Sequence, residues 1–310
     1  MSDPAGAGTY RTRMRGYLRE MFPLPGHLAF SVLASAGTAA FVRSVQGGDI
    51  PFAAAAVASP AWNIFATLLI LRLMDELKDR DIDRRLFPER PLPSGRVLES
   101  DIRRSLAGAI VLYLGANAYA AQVFLSAVLV LGYAGLMFRR FFAPTLLERS
   151  LPLTLATHTP VVPLLLLQAH IAAADRLGVP PGNLRWAAIL PAVAMIWLSI
   201  LGWEVARKIR APREETAYVT YSQILGPAGA VAAAATAQGL AVLLGAHLSA
   251  RLGLPALYPA ALGAAWLLCA AAYARFLRRP DPTTSRLRPY AAAFVFAVLL
   301  AQLCAFGPGR

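Results

Sequence analysis

The feature that most limits the fold of this chain is a succession of apolar stretches, each about twenty residues long. A helix of about that length crosses roughly 30 Å of hydrocarbon with its backbone polar groups satisfied internally. The stretches lie at 24–43, 57–77, 104–121, 123–140, 151–171, 186–206, 224–246, 255–276 and 289–306. We therefore predict an all-α polytopic membrane protein of about nine transmembrane helices, with no soluble domain or linker.

Composition excludes the main alternatives to a membrane protein. Hydrophobic residues make up 57% of the chain and charged residues 15%, which is more apolar side chain than one water-soluble core can hide. Cys269 and Cys304 both lie in apolar stretches, so neither a disulfide framework nor a thiolate metal site is expected. The first apolar stretch lacks a small-residue cleavage site, so we expect no removable signal peptide.

The charged residues predict the orientation. Nine crossings place the termini on opposite sides, and with a cytoplasmic N-terminus 25 of the 30 Lys and Arg lie in the cytoplasm. The other side keeps Arg43, Arg176, Arg185, Arg251 and Arg310, and the only acidic residues there are Asp49 and Asp175. Because this asymmetry follows the positive-inside rule, the net charge of +13 reflects topology, and we expect no nucleic-acid partner.

The segment before the first apolar stretch has its own character. Residues 10–22 alternate arginines with Met14, Tyr17, Leu18 and Phe22, as an amphipathic helix at a membrane interface would. We predict such a helix within the N-terminal segment 1–23. The alanine- and arginine-rich composition favours a bacterial chain in a cytoplasmic (inner) membrane.

An acidic cluster follows the second apolar stretch. Asp75, Asp79 and Asp83 are spaced i, i+4, i+8, so a continuous helix would place them on one face. Like charges in that arrangement repel, and a divalent cation such as Mg²⁺ relieves the repulsion. The alternative is a solvated loop in which the aspartates pair with neighbouring Lys and Arg. Glu76 and Asp81 fall off the shared face and are predicted to be surface charges.

The residues after this cluster carry a resemblance. The DxxxDxxxD pattern followed by ERPLPSGRV (89–97) resembles the first signature of the UbiA superfamily of membrane prenyltransferases. The resemblance implies that Asp75, Asp79 and Asp83 bind Mg²⁺ that bridges to a prenyl diphosphate, with Arg90 and Arg96 near the phosphates. Asp75 stands where many members have asparagine. It also implies one domain over 1–310, with a central lipid-accessible cavity and active-site loops at 78–103 and 207–223.

The resemblance continues at the end of the sixth apolar stretch, with one departure. Glu204 matches the first acid of a second motif, but Lys208 occupies the position of the second acid, and Glu214 and Glu215 come later. The basic residues after Glu204 could also be an ordinary positive-inside helix end. Tyr133 followed by a basic pair resembles a third diphosphate-facing motif. The implied diphosphate ligands on this side are Arg139, Arg140, Arg207 and Lys208, and Glu204 is an implied metal ligand.

These residues imply an Mg²⁺-dependent enzyme that ionises a prenyl diphosphate and transfers the prenyl group to an acceptor, usually an electron-rich aromatic ring or quinone precursor. A terpene cyclase of the same superfamily, which needs no acceptor, is the alternative, because the second motif is altered. A secondary transporter is a third interpretation, although its carboxylates would lie near the bilayer midplane. An inactive homologue is the fourth. His158 is expected to be an interhelical hydrogen-bonding residue or an acceptor contact.

Overall fold

A computed structural model describes residues 8–47 and 50–307. Asp49 and Arg310, assigned above to the non-cytoplasmic side, lie outside these residues. Within the described ranges the chain forms helices and no strand. The α-helices are α1 Tyr10–Met21, α2 Leu24–Gln46, α3 Ala55–Lys78, α4 Arg80–Leu86, α5 Glu99–Asn117, α6 Ala121–Phe138, α7 Pro144–Arg149, α8 Leu151–His158, α9 Val161–Arg176, α10 Trp186–Ala206, α11 Tyr221–Leu252, α12 Leu257–Arg278 and α13 Arg288–Phe306.

The helices confirm an all-α polytopic membrane protein. Within the described ranges, eight segments are long and apolar enough to cross a membrane: α2, α3, α6, α8 with α9, α10, α11, α12 and α13. The remaining predicted span, 104–121, corresponds to α5, which has 19 residues but is not among these eight. Its first turns are charged, with Asp101, Arg103 and Arg104. The count of nine is therefore approximate.

The long helices form a closed ring in sequence order. Each of α2, α3, α5, α6, α9, α10, α11, α12 and α13 packs against the next, and α13 returns to pack against α2. Inside this ring α9 also contacts α2 and α3. Because α9 packs against α10 as well, it connects the first half of the chain to the second. The two helices that end in the charged motifs, α3 and α10, thus share α9 as a common neighbour.

Small residues allow the helices to approach closely. The main core is rich in fully buried alanines, among them Ala39, Ala169, Ala192 and Ala230. In bilayers, helix pairs gain contact through such small residues because hydrocarbon offers no hydrophobic driving force between helices. The motifs at the helix ends are therefore carried by closely packed helices.

The span expected at 151–171 is two helices and not one. α8 ends at His158 and α9 begins at Val161, with a turn at Thr159 and Pro160 between them. Proline causes such a break because it lacks a backbone N–H and its ring clashes with the carbonyl of the preceding turn. The break leaves His158 at a helix end. α11 has a similar kink at Gly226, which has a φ of 69° and is followed by Pro227.

The N-terminal segment predicted as an interfacial amphipathic helix forms α1, and the apolar side of α1 packs on protein. Met14 and Tyr17 are buried in a cluster with Leu73 of α3 and Ile102 of α5. The Nε and Nη2 atoms of Arg13 donate hydrogen bonds of 2.6 and 2.8 Å to the Asp101 carboxylate. α1 therefore covers the end of α3 where the acidic cluster begins.

Candidate active site at the ends of α3 and α10

The acidic cluster is arranged around a lysine. Lys78 Nζ lies 2.8 Å from Asp75 Oδ1 and 4.0 Å from Asp79 Oδ2, and the lysine side chain is only 12% exposed. In the sequence, Lys78 is one of the neighbouring Lys and Arg residues that would pair with the aspartates in a solvated loop. The sequence feature that indicates its pairing with Asp75 is the i, i+3 spacing, which places the two oppositely charged side chains on one helix face. Asp75 and Asp79 thus share a partly buried cation.

The three aspartates do not lie along one continuous helix, as their spacing predicted. α3 ends at Lys78, and Asp79 has non-helical dihedral angles of φ −101° and ψ 11° before α4 begins. The backbone N–H of Asp83 still donates to the Asp79 carbonyl at 2.9 Å. Asp83 is buried, and Arg90 Nη1 donates a hydrogen bond to its Oδ1 at 2.8 Å.

The Asp83–Arg90 pair anchors the loop 89–97. The Asp83 side chain is 9% exposed, and the Arg90 guanidinium lies 3.9 Å from the centre of the Phe87 ring. Arg96 points elsewhere, because its guanidinium donates hydrogen bonds of 2.7 and 3.0 Å to Glu20, at the end of α1. The structure therefore joins Arg90 to the acidic cluster and leaves Arg96 at its periphery.

Asp81 and Glu76, the two acidic residues predicted to lie off the shared helix face, differ in their exposure to solvent. Asp81 is a surface charge, as predicted, with 79% of its side chain exposed. The prediction for Glu76 was wrong: this residue is buried and paired with Arg72, one turn earlier in α3. A carboxylate removed from water needs such a partner. The pair lies under α1, whose position could not be read from the spacing within α3.

The basic pair after Tyr133 divides between the site and the surface. Arg140 Nη2 lies 3.3 Å from Asp79 Oδ1 and from the Lys78 carbonyl oxygen, and the same guanidinium is paired with Glu148. Arg139 is exposed. The structure thus brings Arg140 to the cluster and leaves Arg139 outside it.

The backbone that carries Arg140 is unusual. Three consecutive residues, Arg140, Phe141 and Phe142, have φ values of 49°, 50° and 58°. Such left-handed conformations cost free energy for residues with a Cβ, and they concentrate at functional sites. The turn places the Phe141 ring 5.6 Å from the ring of Tyr133 and 5.8 Å from that of His158. An aromatic group therefore lies beside the acidic cluster.

Burial also affects the Asp79 carboxyl. Removal from water raises its pKa above the usual range and Asp75 adds to the rise, whereas Lys78 and Arg140 favour the charged form. A carboxyl in this environment gains from an added cation, because further positive charge restores the stabilisation lost on burial.

Glu204 lies in a second cluster at the end of α10. Its carboxylate accepts two hydrogen bonds of 2.6 Å from Arg207, and Lys208 Nζ lies 3.6 Å away. Glu214 and Glu215, the later acids, do not join it: Glu214 accepts from the Ala211 N–H, and Glu215 accepts from hydroxyls at the start of α11. Neither later acid therefore takes the place of the missing second carboxylate, and Lys208 occupies that position beside Glu204.

Charged groups from both clusters lie near the break between α8 and α9. His158 lies within range of the charges of Asp75 and Lys78 from the first cluster and of Lys208 from the second. Its Nδ1 lies 3.2 Å from the hydroxyl of Thr157, so the side-chain contact is within its own helix and not the expected interhelical one. The end of α8 therefore lies within the electrostatic influence of the charged ends of α3 and α10.

The side chains fit a metal site only in part. Among residues 8–47 and 50–307, no three His, Cys, Asp or Glu group closely enough to hold an ion. Asp75 and Asp79 fit best, because their side chains are 48% and 37% exposed and offer the hard oxygen atoms that Mg²⁺ prefers. Asp83 and Glu204 are occupied by arginine partners.

Comparison with known proteins supports the fold. The sequence matches no protein-family model and no curated protein. A solved structure of a digeranylgeranylglyceryl phosphate synthase is 16% identical with a TM-score of 0.64, and the match covers 95% of this chain and 98% of that one. A UbiA homologue from Aeropyrum pernix K1 is 20% identical with a TM-score of 0.67, covering 89% and 97%. The predicted resemblance is thereby confirmed in the architecture: the chain has the fold of UbiA-type membrane proteins.

Proposed function

We propose that this chain is an Mg²⁺-dependent intramembrane prenyltransferase that ionises a prenyl diphosphate at the cytoplasmic face of an inner membrane. The main support is that two distant motifs each gather carboxylates and cations at a helix end within a UbiA-type fold: Asp75 and Asp79 with Lys78 and Arg140 after α3, and Glu204 with Arg207 and Lys208 after α10. A diphosphate bound through metal ions and basic side chains needs both kinds of group in one place.

The carboxylates have different parts in this proposal. Asp75 and Asp79 would hold Mg²⁺, because they are the more exposed members of the acidic cluster and offer carboxylate oxygens to the ion. When bound, the ion would neutralise negative charge on the leaving diphosphate. Asp83 would support this end of α3 through Arg90, and Glu204 would set the positions of Arg207 and Lys208.

The basic side chains would bind phosphate oxygens directly. Lys78, Arg140 and Lys208 are partly buried and belong to or adjoin the clusters, so they would stabilise charge that develops as the allylic C–O bond breaks. Arg90 and Arg96, both expected near the phosphates, would act by holding the loop 89–97 in place. Arg139 is exposed and would contact the diphosphate only as the substrate enters.

The prenyl chain would extend from the clusters into the helical bundle. The rings of Phe141 and Tyr133 lie at the edge of the charged region, where an aromatic face can stabilise a neighbouring cation. Exclusion of water would protect an allylic cation until a nucleophile attacks its first carbon. The nucleophile would be an aromatic acceptor or quinone precursor, which loses a proton after the new carbon–carbon bond forms.

A terpene cyclase is the second candidate, favoured by the pairing of Glu204 with Arg207 and Lys208. In that reaction a double bond of the substrate itself attacks the cation. A transporter is less well supported, because transporters place their carboxylates near the bilayer midplane on broken helices. Here the carboxylates lie at helix ends, and the break between α8 and α9 carries His158 in place of a carboxylate.

Product analysis distinguishes these functions. Purified protein would be incubated with geranyl, farnesyl and geranylgeranyl diphosphates, with and without Mg²⁺ and an aromatic acceptor, and the products identified by mass spectrometry. Coupling only with acceptor supports the transferase, whereas a cyclic hydrocarbon or alcohol without acceptor supports the cyclase. Absence of Mg²⁺-dependent diphosphate release with every donor and acceptor would refute both.

A further inference from the structure

A second basic region lies beside the candidate active site. A cavity of about 390 Å³ lies between the end of α10 and the start of α13. Arg207 and Arg210 line it from one side, and Arg286 and Arg288 line it from the other. The packing of α10 against α13 brings these two segments together. Arg286 and Arg288 belong to none of the motifs considered above.

The charges around this cavity do not balance. Glu204 neutralises Arg207 through two hydrogen bonds of 2.6 Å, and Glu214 also lines the wall. Four arginines against these two carboxylates leave a surplus of two positive charges. Across the described ranges 8–47 and 50–307, no ion pair joins Arg210, Arg286 or Arg288 to a carboxylate. The surplus is therefore not compensated within the part of the chain that the structure describes.

The donors that remain suit a phosphate group. Arg210 Nη1 donates hydrogen bonds of 3.1 Å to the backbone carbonyl oxygens of Arg207 and Ile209. These bonds hold its guanidinium group at the cavity wall. Guanidinium groups bind phosphate oxygens with two parallel N–H donors. α13 begins at Arg288, so the positive end of its helix dipole lies at the same wall. Ordinary positive-inside arginines need only water, and they need not converge on a concave space.

We propose that this cavity is a second anion site, which binds a phosphate monoester, phosphodiester or diphosphate group and adjoins the candidate active site through Arg207. The group could belong to an anionic lipid headgroup or to a free phosphate compound. Both sources present the same oxygen atoms to the arginines. The proposal concerns binding alone and does not depend on the proposed enzymatic function.

Binding to the full chain in detergent micelles tests the proposal. The probes are phosphatidylglycerol, with phosphatidylcholine as its zwitterionic reference, and inorganic diphosphate. Native mass spectrometry measures lipid retention, and isothermal titration calorimetry measures diphosphate affinity. The test variant is the double substitution Arg286→Ala and Arg288→Ala. The matched control is Arg279→Ala, whose side chain is 85% exposed on the same loop and does not line the cavity.

Loss of one charge-assisted contact weakens binding by about tenfold or more, so the double variant should lose about a hundredfold. Arg279→Ala should bind as the wild type does. A loss confined to phosphatidylglycerol supports a lipid headgroup, and a loss confined to diphosphate supports a free phosphate compound. The proposal is overturned if, near physiological salt, the double variant binds both probes as tightly as Arg279→Ala does.

Discussion

Replacing Arg90 with alanine should destabilise the chain far more than the same replacement at Arg96, although both arginines belong to the loop 89–97. Arg90 is 31% exposed and binds Asp83, of which only 9% is exposed. Arg96 and its partner Glu20 are 50% and 40% exposed. Removal of Arg90 leaves a carboxylate without a partner and largely out of water, whereas removal of Arg96 leaves Glu20 solvated.

The expected magnitudes follow from these environments. Breaking a fully buried pair costs about 3–5 kcal/mol, and an exposed pair about 0.2–1 kcal/mol. Because water can reach part of the space that Arg90 leaves, we expect Arg90→Ala to cost about 2–3 kcal/mol. Arg96→Ala should cost less than about 1 kcal/mol. Adding Asp83→Asn to Arg90→Ala should recover much of the loss, since the unpaired charge is removed.

Reversible unfolding in mixed micelles, titrated with sodium dodecyl sulfate, measures these differences in the free energy of unfolding. Equal costs for Arg90→Ala and Arg96→Ala would refute the reasoning. So would a double variant less stable than Arg90→Ala, because the buried carboxylate would then not be the source of the loss.

Two further predictions concern helix packing and pH. Gly202→Ala should destabilise the chain by about 1–3 kcal/mol, because the new Cβ would lie 2.6 Å from Gln238 Cγ and 3.0 Å from the Ala234 carbonyl oxygen. The control is Gly263→Ala, which meets nothing within 4 Å and should be neutral or slightly stabilising in the same unfolding titration. The Arg13 guanidinium holds the pKa of the Asp101 carboxyl below its usual range. This stabilisation is complete above the unfolded pKa of about 4 and is lost as the pH falls through the lower folded value. Asp101→Asn should therefore be less stable than wild type at pH 7, with the difference shrinking below about pH 4; a difference independent of pH would contradict the assignment.

Apolar periodicity and motif spacing predicted much of the architecture. Stretches of about twenty apolar residues located the long helices, since length and hydropathy suffice to define a spanning segment. They missed the break at Thr159 and Pro160, because α8 and α9 are both apolar and hydropathy does not register a local turn. The prolines of this span carried the only signal.

The spacing of the motif residues indicated which side chains lie near one another better than it indicated how those side chains are arranged. Asp75 and Asp79 share Lys78, but Asp83 follows the end of α3 and is buried against Arg90. A spacing of four residues assumes an unbroken helix, and nothing in that assumption reveals where a helix ends. The burial of Glu76 and the contact of Arg140 with Asp79 depend on α1 and on the left-handed turn, both set by tertiary packing.

The central proposal is that the carboxylates at the end of α3 take part in ionising a prenyl diphosphate. The most direct test is the rate of Mg²⁺-dependent diphosphate release by Asp79→Asn, compared with Asp81→Asn as the matched surface control in the next turn. We predict that Asp79→Asn loses activity by about a hundredfold or more, in keeping with the loss of one electrostatic contact in an active site. Asp81→Asn should stay within about twofold of wild type. Equal rates for the two variants, or release that persists when Mg²⁺ is chelated, would contradict the proposal.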